Sequence, residues 1–259
     1  KKYEIINPIV IDNTGVWRDE EALSKHLNSG ADKVILTAPA KGDIKNIVFG
    51  VNDHIYDNDS IISAASCTTN AIVPVLKIIN DEYKVISGHI ETVHSYTNDQ
   101  NLIDNFHKGD RRGRGAPLNM VLTSTGAVNA VGKAIPELAG ILTGNAIRVP
   151  TPNVSLAILS LELGTEITTD KINDYLRSMA FHSKFREILG YVNSSEIVST
   201  DFYSSPFASV IDSKATITKG NKLTLYCWYD NEYGYSKQVI NLTKKIANIS
   251  LERLPKPIG

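Results

Sequence analysis

One cysteine of this sequence lies where a reactive thiol is expected. Cys67 follows a short β-like run, residues 61–65, and precedes an apolar stretch whose spacing predicts a helix. The unpaired N–H groups and the positive dipole end of a helix start stabilise anions, so we expect a lowered pKa for the Cys67 thiol. Ser66 can act as the N-cap of that helix. The alternative is a small cysteine buried in a core.

A histidine further along the chain is a candidate base for this thiol. His94 stands near the end of an alternating segment, residues 85–94, which predicts a β-strand. An imidazole that faces Cys67 across a cleft could accept its proton. A structural strand histidine is the alternative, because spacing along the sequence does not establish contact.

Five sequence blocks form a pattern along the chain. They are Ala-Ser-Cys-Thr-Thr-Asn (65–70), Thr-Val-His-Ser-Tyr-Thr-Asn-Asp-Gln (92–100), Ser-Thr-Gly-Ala (124–127), Arg-Val-Pro-Thr-Pro-Asn-Val-Ser (148–155) and Trp-Tyr-Asp-Asn-Glu-Tyr-Gly-Tyr-Ser (228–236). These blocks resemble the phosphorylating glyceraldehyde-3-phosphate dehydrogenase family, and they occur in the family's order and at close to its spacings. One such block would be weak evidence, whereas five in order are highly specific.

The resemblance implies an enzyme that oxidises and phosphorylates glyceraldehyde 3-phosphate to 1,3-bisphosphoglycerate, as in glycolysis. Cys67 would attack the aldehyde, and His94, with a pKa near neutrality, would move the proton. Hydride transfer to a nicotinamide would leave a thioester on Cys67, which inorganic phosphate would then attack. Water must be excluded, because it would hydrolyse the thioester.

This reaction needs two anion sites. By the family's pattern Thr97 and Arg148 hold the substrate phosphate, and the planar guanidinium fork suits phosphate geometry. Residues 124–127 also predict a capped helix start, so a plain N-cap is the compatible alternative for Thr125. The family's ligands for inorganic phosphate correspond to Ser66, Thr68, Thr125 and the backbone of Gly126.

Two residues near the end of the chain are candidate cofactor ligands. Asn231 and Tyr235 are four apart, and we expect both in the first turn of a final helix, on one face. In the family the asparagine bonds the nicotinamide carboxamide and the tyrosine packs against the ring. The alternative is an N-cap followed by a buried aromatic residue. Thr14 and Gly15 match the family's loop beneath the cofactor. The resemblance implies NAD, with NADP not excluded.

The predicted fold is an α/β remnant of a Rossmann-type nucleotide-binding domain, followed by an α+β catalytic domain with a mostly antiparallel sheet. Short apolar strands at residues 33–37, 47–51 and 61–62 place the first domain in residues 1–66. Longer alternating strands place the catalytic domain in residues 67–230. Residues 231–259 form the last region, in which an amphipathic helix is predicted from Asn231 to Ile249; the family resemblance implies that it packs back on the first domain. A glycine-rich G-x-G-x-x-G turn is not found, so we expect the sequence to begin after the first strands of the nucleotide-binding domain.

Composition excludes several other classes of protein. The 259 residues carry a formal net charge of −1, so no global field attracts nucleic acid or an anionic membrane. Two cysteines make no disulfide framework and suit a reducing compartment. We therefore predict a cytoplasmic protein with no nucleic-acid partner, no membrane partner and no metal site. The family implies a homotetramer, with the loop of residues 95–119 at a subunit interface.

Three other functions stay open from the sequence. A sister enzyme acting on erythrose 4-phosphate would share the nucleophile and base, although Tyr96, Thr97 and residues 124–127 favour glyceraldehyde 3-phosphate. A cysteine hydrolase could use Cys67 and His94, but would leave Arg148 without a purpose. A truncated, non-catalytic binding form is the third alternative, because the chain lacks the cofactor fingerprint.

Overall fold

The computed structural model describes residues 5–249, apart from the side chain of Asp110. The α-helices within these residues are α1 (Glu20–Asn28), α2 (Cys67–Tyr83), α3 (Ala127–Ala134), α4 (Thr169–His182) and α5 (Tyr233–Ile246). The strands there are β1 (Ile9–Asp12), β2 (Lys33–Leu36), β3 (Ile61–Ser63), β4 (Val85–Ser95), β5 (Val121–Thr123), β6 (Leu142–Val149), β7 (Ser155–Leu163), β8 (Leu189–Val192), β9 (Ser209–Asp212), β10 (Ile217–Lys219) and β11 (Lys222–Tyr229). None of the helices in this part of the chain is long and apolar enough to cross a membrane.

A small parallel sheet opens the structure, in the strand order β1-β2-β3. Helix α1 joins β1 to β2 and is capped by the Asp19 carboxylate, which accepts a hydrogen bond from Ala22 N. The predicted strand at residues 47–51 is wrong, because the chain turns there, with Val51 N bonded to Val48 O at 3.1 Å. Both valines are buried, so their apolar character reflects core packing and not strand pairing.

The larger sheet has eight strands and is mixed. Its order is β5-β6-β4-β7-β11-β9-β8, with β10 paired to β11. Strand β4 runs parallel to β6 and β8 runs parallel to β9, whereas the other pairs are antiparallel. The alternating strands predict a mostly antiparallel sheet, and of the seven strand pairs within the described residues of this sheet five are antiparallel and two are parallel. Alternation reports one buried face, and a mixed sheet with one covered face produces the same pattern.

Helix α2 covers the buried face of the large sheet and carries the main core. It packs against β4, β7, β9 and β11. Side chains such as Leu76 and Ile79 of α2 lie in one buried cluster with Ile90, Leu159 and Leu225 of the sheet. This packing fixes the helix over the strand ends, which brings its first turn to the edge where β4 finishes.

Helix α5 packs on the small sheet, where Val239 and Leu242 join Ile35 and Ile62 in a second buried cluster. The prediction that the helix includes Asn231 is wrong, since α5 begins at Tyr233. The Asp230 carboxylate accepts from the backbone N–H of Tyr233, at 2.8 Å, and therefore fixes the helix start after Asn231. Residues 250–259 of the predicted final segment lie outside the described residues.

Candidate active site

The turn between β3 and α2 presents Cys67 as the first residue of the helix. Ala65 has a φ of 57°, a conformation that non-glycine residues rarely adopt. The Asn70 side chain holds this turn, because its amide nitrogen donates to Ala64 O at 2.8 Å and to Ser66 O at 2.9 Å. Ser66 is the N-cap, as predicted, with its hydroxyl accepting from Thr69 N at 3.1 Å. The strained turn therefore places Cys67 at the start of the helix.

His94 lies beside that thiol. It is the penultimate residue of β4, and its Nε2 is 3.5 Å from Cys67 Sγ. Its Nδ1 is 2.7 Å from the backbone oxygen of Ser95, which accepts a hydrogen bond when Nδ1 carries the proton. That tautomer leaves Nε2 free to accept the thiol proton, so the pair has the geometry of a nucleophile and its base. In the other tautomer Nδ1 accepts from Arg148 Nη1 and the proton lies on Nε2.

The electrostatics of the pair differ from the sequence expectation. Burial raises the pKa of the Cys67 thiol, although Thr68 and the nearby Arg148 charge act to lower it. The predicted lowering by the helix start is therefore outweighed by loss of water around the sulfur. Burial, and then the Arg148 charge, lower the pKa of His94 to about 4. Without a bound anion, thiol and imidazole are both neutral at pH 7.

Arg148 completes this corner of the site. It lies on β6, where its Cα is the register partner of His94 in the parallel pair. Its Nη1 is 2.5 Å from His94 Nδ1 and donates to Ser95 O at 3.1 Å. Its buried Nε has no hydrogen-bond partner among the described residues. A half-buried cation with a spare donor suits an anionic ligand such as phosphate.

Thr97 is tied to an ion pair that sequence reasoning missed. Its hydroxyl donates to the Asp99 carboxylate, which also binds the Arg112 guanidinium. Arg112 Nε in turn donates to Thr123 Oγ1 at 3.1 Å. Asp99 and Arg112 thus connect the end of β4 with β5 across the loop of residues 95–119. Asp99, two positions after Thr97, was the only local sign of this ion pair. Its partner Arg112 lies 13 residues further on and could not be paired with it from the sequence.

The hydroxyl groups predicted to bind inorganic phosphate each lie within hydrogen-bond distance of another protein group. Thr68 Oγ1 lies 3.0 Å from the Tyr229 hydroxyl, and Thr125 Oγ1 accepts from Ala127 N at 3.2 Å. Gly126 is the N-cap residue of α3, so its end of the helix offers backbone N–H groups. Within residues 5–249, no hydrogen bond joins Ser66 or Thr68 to Thr125.

The predicted cofactor residues fall into two groups. Asn231 Oδ1 accepts from the hydroxyls of Ser95 and Ser155, at 2.9 and 2.8 Å, beside the end of β4. Tyr235 donates to Ala65 O at 2.9 Å, in the turn that presents Cys67. Thr14 and Gly15 instead follow β1, where Thr14 bonds the Asp12 carboxylate. No hydrogen bond in the described part of the chain links Thr14 or Gly15 to Cys67 or Asn231.

Comparison with known proteins places these residues in a family. The model of the glyceraldehyde 3-phosphate dehydrogenase C-terminal domain matches residues 66–231. The chain belongs to the glyceraldehyde-3-phosphate dehydrogenase family. The matched segment begins at the Ser66 cap and ends at Asn231, so in this family member it contains both members of the Cys67–His94 pair.

Relatives with curated names support the same family. A glyceraldehyde-3-phosphate dehydrogenase-like protein of Pseudomonas aeruginosa is 59% identical over 257 residues, which are 98% of this chain and 56% of that relative. Glyceraldehyde-3-phosphate dehydrogenase 2 of Nostoc sp. is 43% identical over 250 residues, covering 95% of this chain and 73% of the relative. Glyceraldehyde-3-phosphate dehydrogenase 1 of Bacillus subtilis is 44% identical over 246 residues, covering 94% and 73%. The chain therefore spans between about half and three quarters of these family members.

Proposed function

We propose that this chain carries the catalytic site of a phosphorylating glyceraldehyde-3-phosphate dehydrogenase, which converts glyceraldehyde 3-phosphate to 1,3-bisphosphoglycerate. The observation that carries the proposal is the 3.5 Å contact of Cys67 Sγ with His94 Nε2, with Arg148 on the other side of the same imidazole. A hydrolase would need the first contact but not the second. A phosphorylated aldehyde uses both.

The chemistry begins with the thiol. Cys67 Sγ forms a bond to the aldehyde carbon while its proton passes to His94 Nε2, and the carbonyl oxygen becomes a hydroxyl when that proton is returned. A nicotinamide dinucleotide held near Asn231 and Tyr235 would supply the hydride acceptor. His94 would take the hydroxyl proton, and Cys67 would keep the carbonyl carbon as a thioester. An oxygen of inorganic phosphate would then bond to that carbon while the C–S bond breaks, and the sulfur would regain its proton from His94.

The phosphate of the aldehyde is proposed to bind Arg148 and Thr97. The unpartnered Nε of Arg148 is a donor that a phosphate oxygen can satisfy. Thr97 Oγ1 would exchange its bond to Asp99 for one to the ligand. The attacking phosphate is proposed to bind at the N-terminal end of α3, with Thr125 and Gly126, and beside Ser66 and Thr68.

A nicotinamide cofactor fits the donor set around Asn231. Two serine hydroxyls occupy its Oδ1, and its Nδ2 has no hydrogen-bond partner within the described residues. A fixed amide with a free N–H suits a carboxamide oxygen, which the nicotinamide ring carries. Tyr235 would lie against the ring, and Thr14 and Gly15 would lie beneath the rest of the cofactor. We propose NAD as the cofactor, and a cytoplasmic homotetramer as the working form, on family resemblance.

The test is a spectrophotometric assay of the full chain with glyceraldehyde 3-phosphate, inorganic phosphate and NAD. We expect absorbance of reduced nicotinamide to rise only when all three are present. Cys67→Ser should abolish the signal, and His94→Asn should lower it by about 10²- to 10⁴-fold. His182→Asn, which removes an exposed imidazole on α4, is the matched control and should leave the rate unchanged.

Each competing function predicts a different result in this assay. Faster turnover of erythrose 4-phosphate would assign the sister activity. Ester hydrolysis that is indifferent to NAD and phosphate would indicate a cysteine hydrolase. Absence of NAD binding in a calorimetric titration of this chain, together with no turnover, would contradict the dehydrogenase proposal and favour the non-catalytic binding form.

A further inference from the structure

A buried tyrosine hydroxyl joins the two elements that carry the nucleophile and the base. Tyr229 is the last residue of β11 and only 1% exposed. Its hydroxyl lies 3.0 Å from Thr68 Oγ1 and 2.7 Å from Thr92 Oγ1. Thr68 directly follows Cys67 on α2. Thr92 precedes His94 by two residues on β4, so both side chains lie on one face of that strand.

The ring of Tyr229 also contacts the base itself. It meets the His94 imidazole edge to face, with ring centroids 5.9 Å apart and an interplanar angle of 75°. Burial raises the pKa of Tyr229 far above its usual range, so the hydroxyl keeps its proton. A neutral phenol donates one hydrogen bond and accepts another. It can therefore satisfy both threonine hydroxyls at once.

We infer that Tyr229 is a positioning residue that holds Cys67 at bonding distance from His94. The inference rests on the proposed function, because it concerns the same nucleophile and base. The Sγ–Nε2 distance of 3.5 Å is long enough that a small further separation would break the contact. Helix α2 and strand β4 approach each other at this end through the Tyr229 hydroxyl. Removing that hydroxyl should let the helix start and the strand end shift apart.

Thr68 acquires a second role by this inference. Family resemblance assigns its hydroxyl to inorganic phosphate, yet the side chain is buried and bonded to Tyr229. One hydroxyl oxygen can accept from Tyr229 while its proton points to a ligand. The state of the anion site and the placement of the thiol would thus be connected through one side chain.

Tyr229→Phe tests the inference, since it deletes the hydroxyl and keeps the ring. The matched control is Tyr175→Phe, because the Tyr175 hydroxyl also donates to α2, at Ile78 O and 3.0 Å, but several turns from Cys67. Thr92→Val removes the strand-side partner of Tyr229. Thr92→Ser retains it and should rescue the wild-type behaviour.

The readout is the pH profile of alkylation of Cys67 by iodoacetamide, which needs neither cofactor nor substrate. Cys227 does not compete, since it is fully buried and burial raises its pKa to about 12. We expect Tyr229→Phe and Thr92→Val to slow alkylation at pH 7 by roughly three- to tenfold, as for loss of one hydrogen bond. Half-maximal alkylation should move to higher pH. The double variant should be no slower than either single one.

Thermal melting of every variant separates positioning from general destabilisation. Tyr175→Phe should lower the melting temperature about as much as Tyr229→Phe does. Its pH profile of Cys67 alkylation should be the same as that of the wild type. An unchanged profile in Tyr229→Phe, or equal slowing in both tyrosine variants, would overturn the positioning role alone. Alkylation of Cys67 that is unchanged by His94→Asn would overturn both this role and the proposed function, because His94 would then not act on the thiol.

Discussion

The guanidinium of Arg148 lies 2.5 Å from Nδ1 of His94, on the side of the ring opposite to Cys67. The imidazole is thus held between the thiol that it would deprotonate and the cation that would bind the substrate phosphate. A positive charge at this distance disfavours the imidazolium, and it is the second cause, after burial, of the lowered His94 pKa. An anion bound to Arg148 would offset that charge and make His94 a stronger base.

Replacing Arg148 by Gln should raise the pKa of His94 from about 4 towards 6.5, while burial keeps it below that value. Arg112 also lowers this pKa and Asp99 raises it, so both must be kept intact in the variant. An NMR pH titration of the His94 imidazole, assigned with His94→Asn, measures the change. Saturating sulfate should move wild-type His94 in the same direction. Arg114→Gln, which alters an exposed arginine, is the control, and an identical titration in Arg148→Gln would refute the coupling.

The lowered His94 pKa also predicts loss of stability in mild acid. Below about pH 6.5 the unfolded chain protonates this imidazole, whereas the folded chain does so only near pH 4. The folded state therefore loses about 2 kcal/mol between pH 6.5 and 5 through this residue. Urea unfolding of His94→Asn at both pH values should show a correspondingly smaller loss. The control variant His182→Asn should lose as much unfolding free energy between the two pH values as the wild type. An equal loss in His94→Asn would contradict the prediction.

The Asp99 carboxylate should hold the loop of residues 95–119 against the sheet, because it binds Arg112, whose Nε donates to Thr123 of β5. It also accepts from the Thr97 hydroxyl. Asp99→Ala is expected to release the Arg112 side chain and to speed tryptic cleavage after that residue by roughly tenfold. Mass spectrometry of timed digests identifies the cleavage site. Asp81→Ala, which breaks an exposed ion pair with Lys77 on α2, serves as the control and should not change the rate. Equal digestion of all three proteins would argue against the anchoring role.

Gly234 in α5 should not tolerate alanine, although alanine usually favours a helix. An added Cβ would lie 2.6 Å from the backbone oxygen of Phe207 and 3.1 Å from that of Ser205. We expect Gly234→Ala to lower the free energy of unfolding by about 2 kcal/mol, because one backbone segment must move. Ser236→Ala, two residues on and exposed, should change it by less than about 0.5 kcal/mol. Denaturant unfolding compares the two, and equal stability would contradict the close approach.

Local features of the site could be predicted from the sequence because local forces determine them. Ser66 caps α2 through an atom three residues from its partner, Thr69, and the alternation of residues 85–94 follows from one buried face of β4. The approach of His94 to Cys67 was a hypothesis from residue types and family resemblance. The structure brings the two together because α2 packs across the sheet.

Features set by distant contacts could not be predicted in this way. The pKa of Cys67 depends on how completely the folded chain removes water from it, and the helix start alone gave the wrong direction. The beginning of α5 depends on the Asp230 carboxylate, which accepts a hydrogen bond from Tyr233 N. The sequence also offered Asn231 as a capping residue and did not distinguish between the two. The parallel pairing of β4 with β6 and the Thr68–Tyr229–Thr92 bridge join segments that are far apart in sequence.

His94 and Arg148 are register partners on adjacent parallel strands, so in the proposed reaction the strand spacing would set the distance between the reacting carbon and the substrate phosphate. Neighbouring strands are spaced at about 4.8 Å, and loop insertions do not alter that spacing. Selection or design for shorter or longer aldehydes therefore has little freedom at this pair. The variable end is the loop after β4, which carries Thr97 and Asp99 outside the strands. Substrate length in descendants of this fold should consequently evolve through the loop, while the strand pair stays constant.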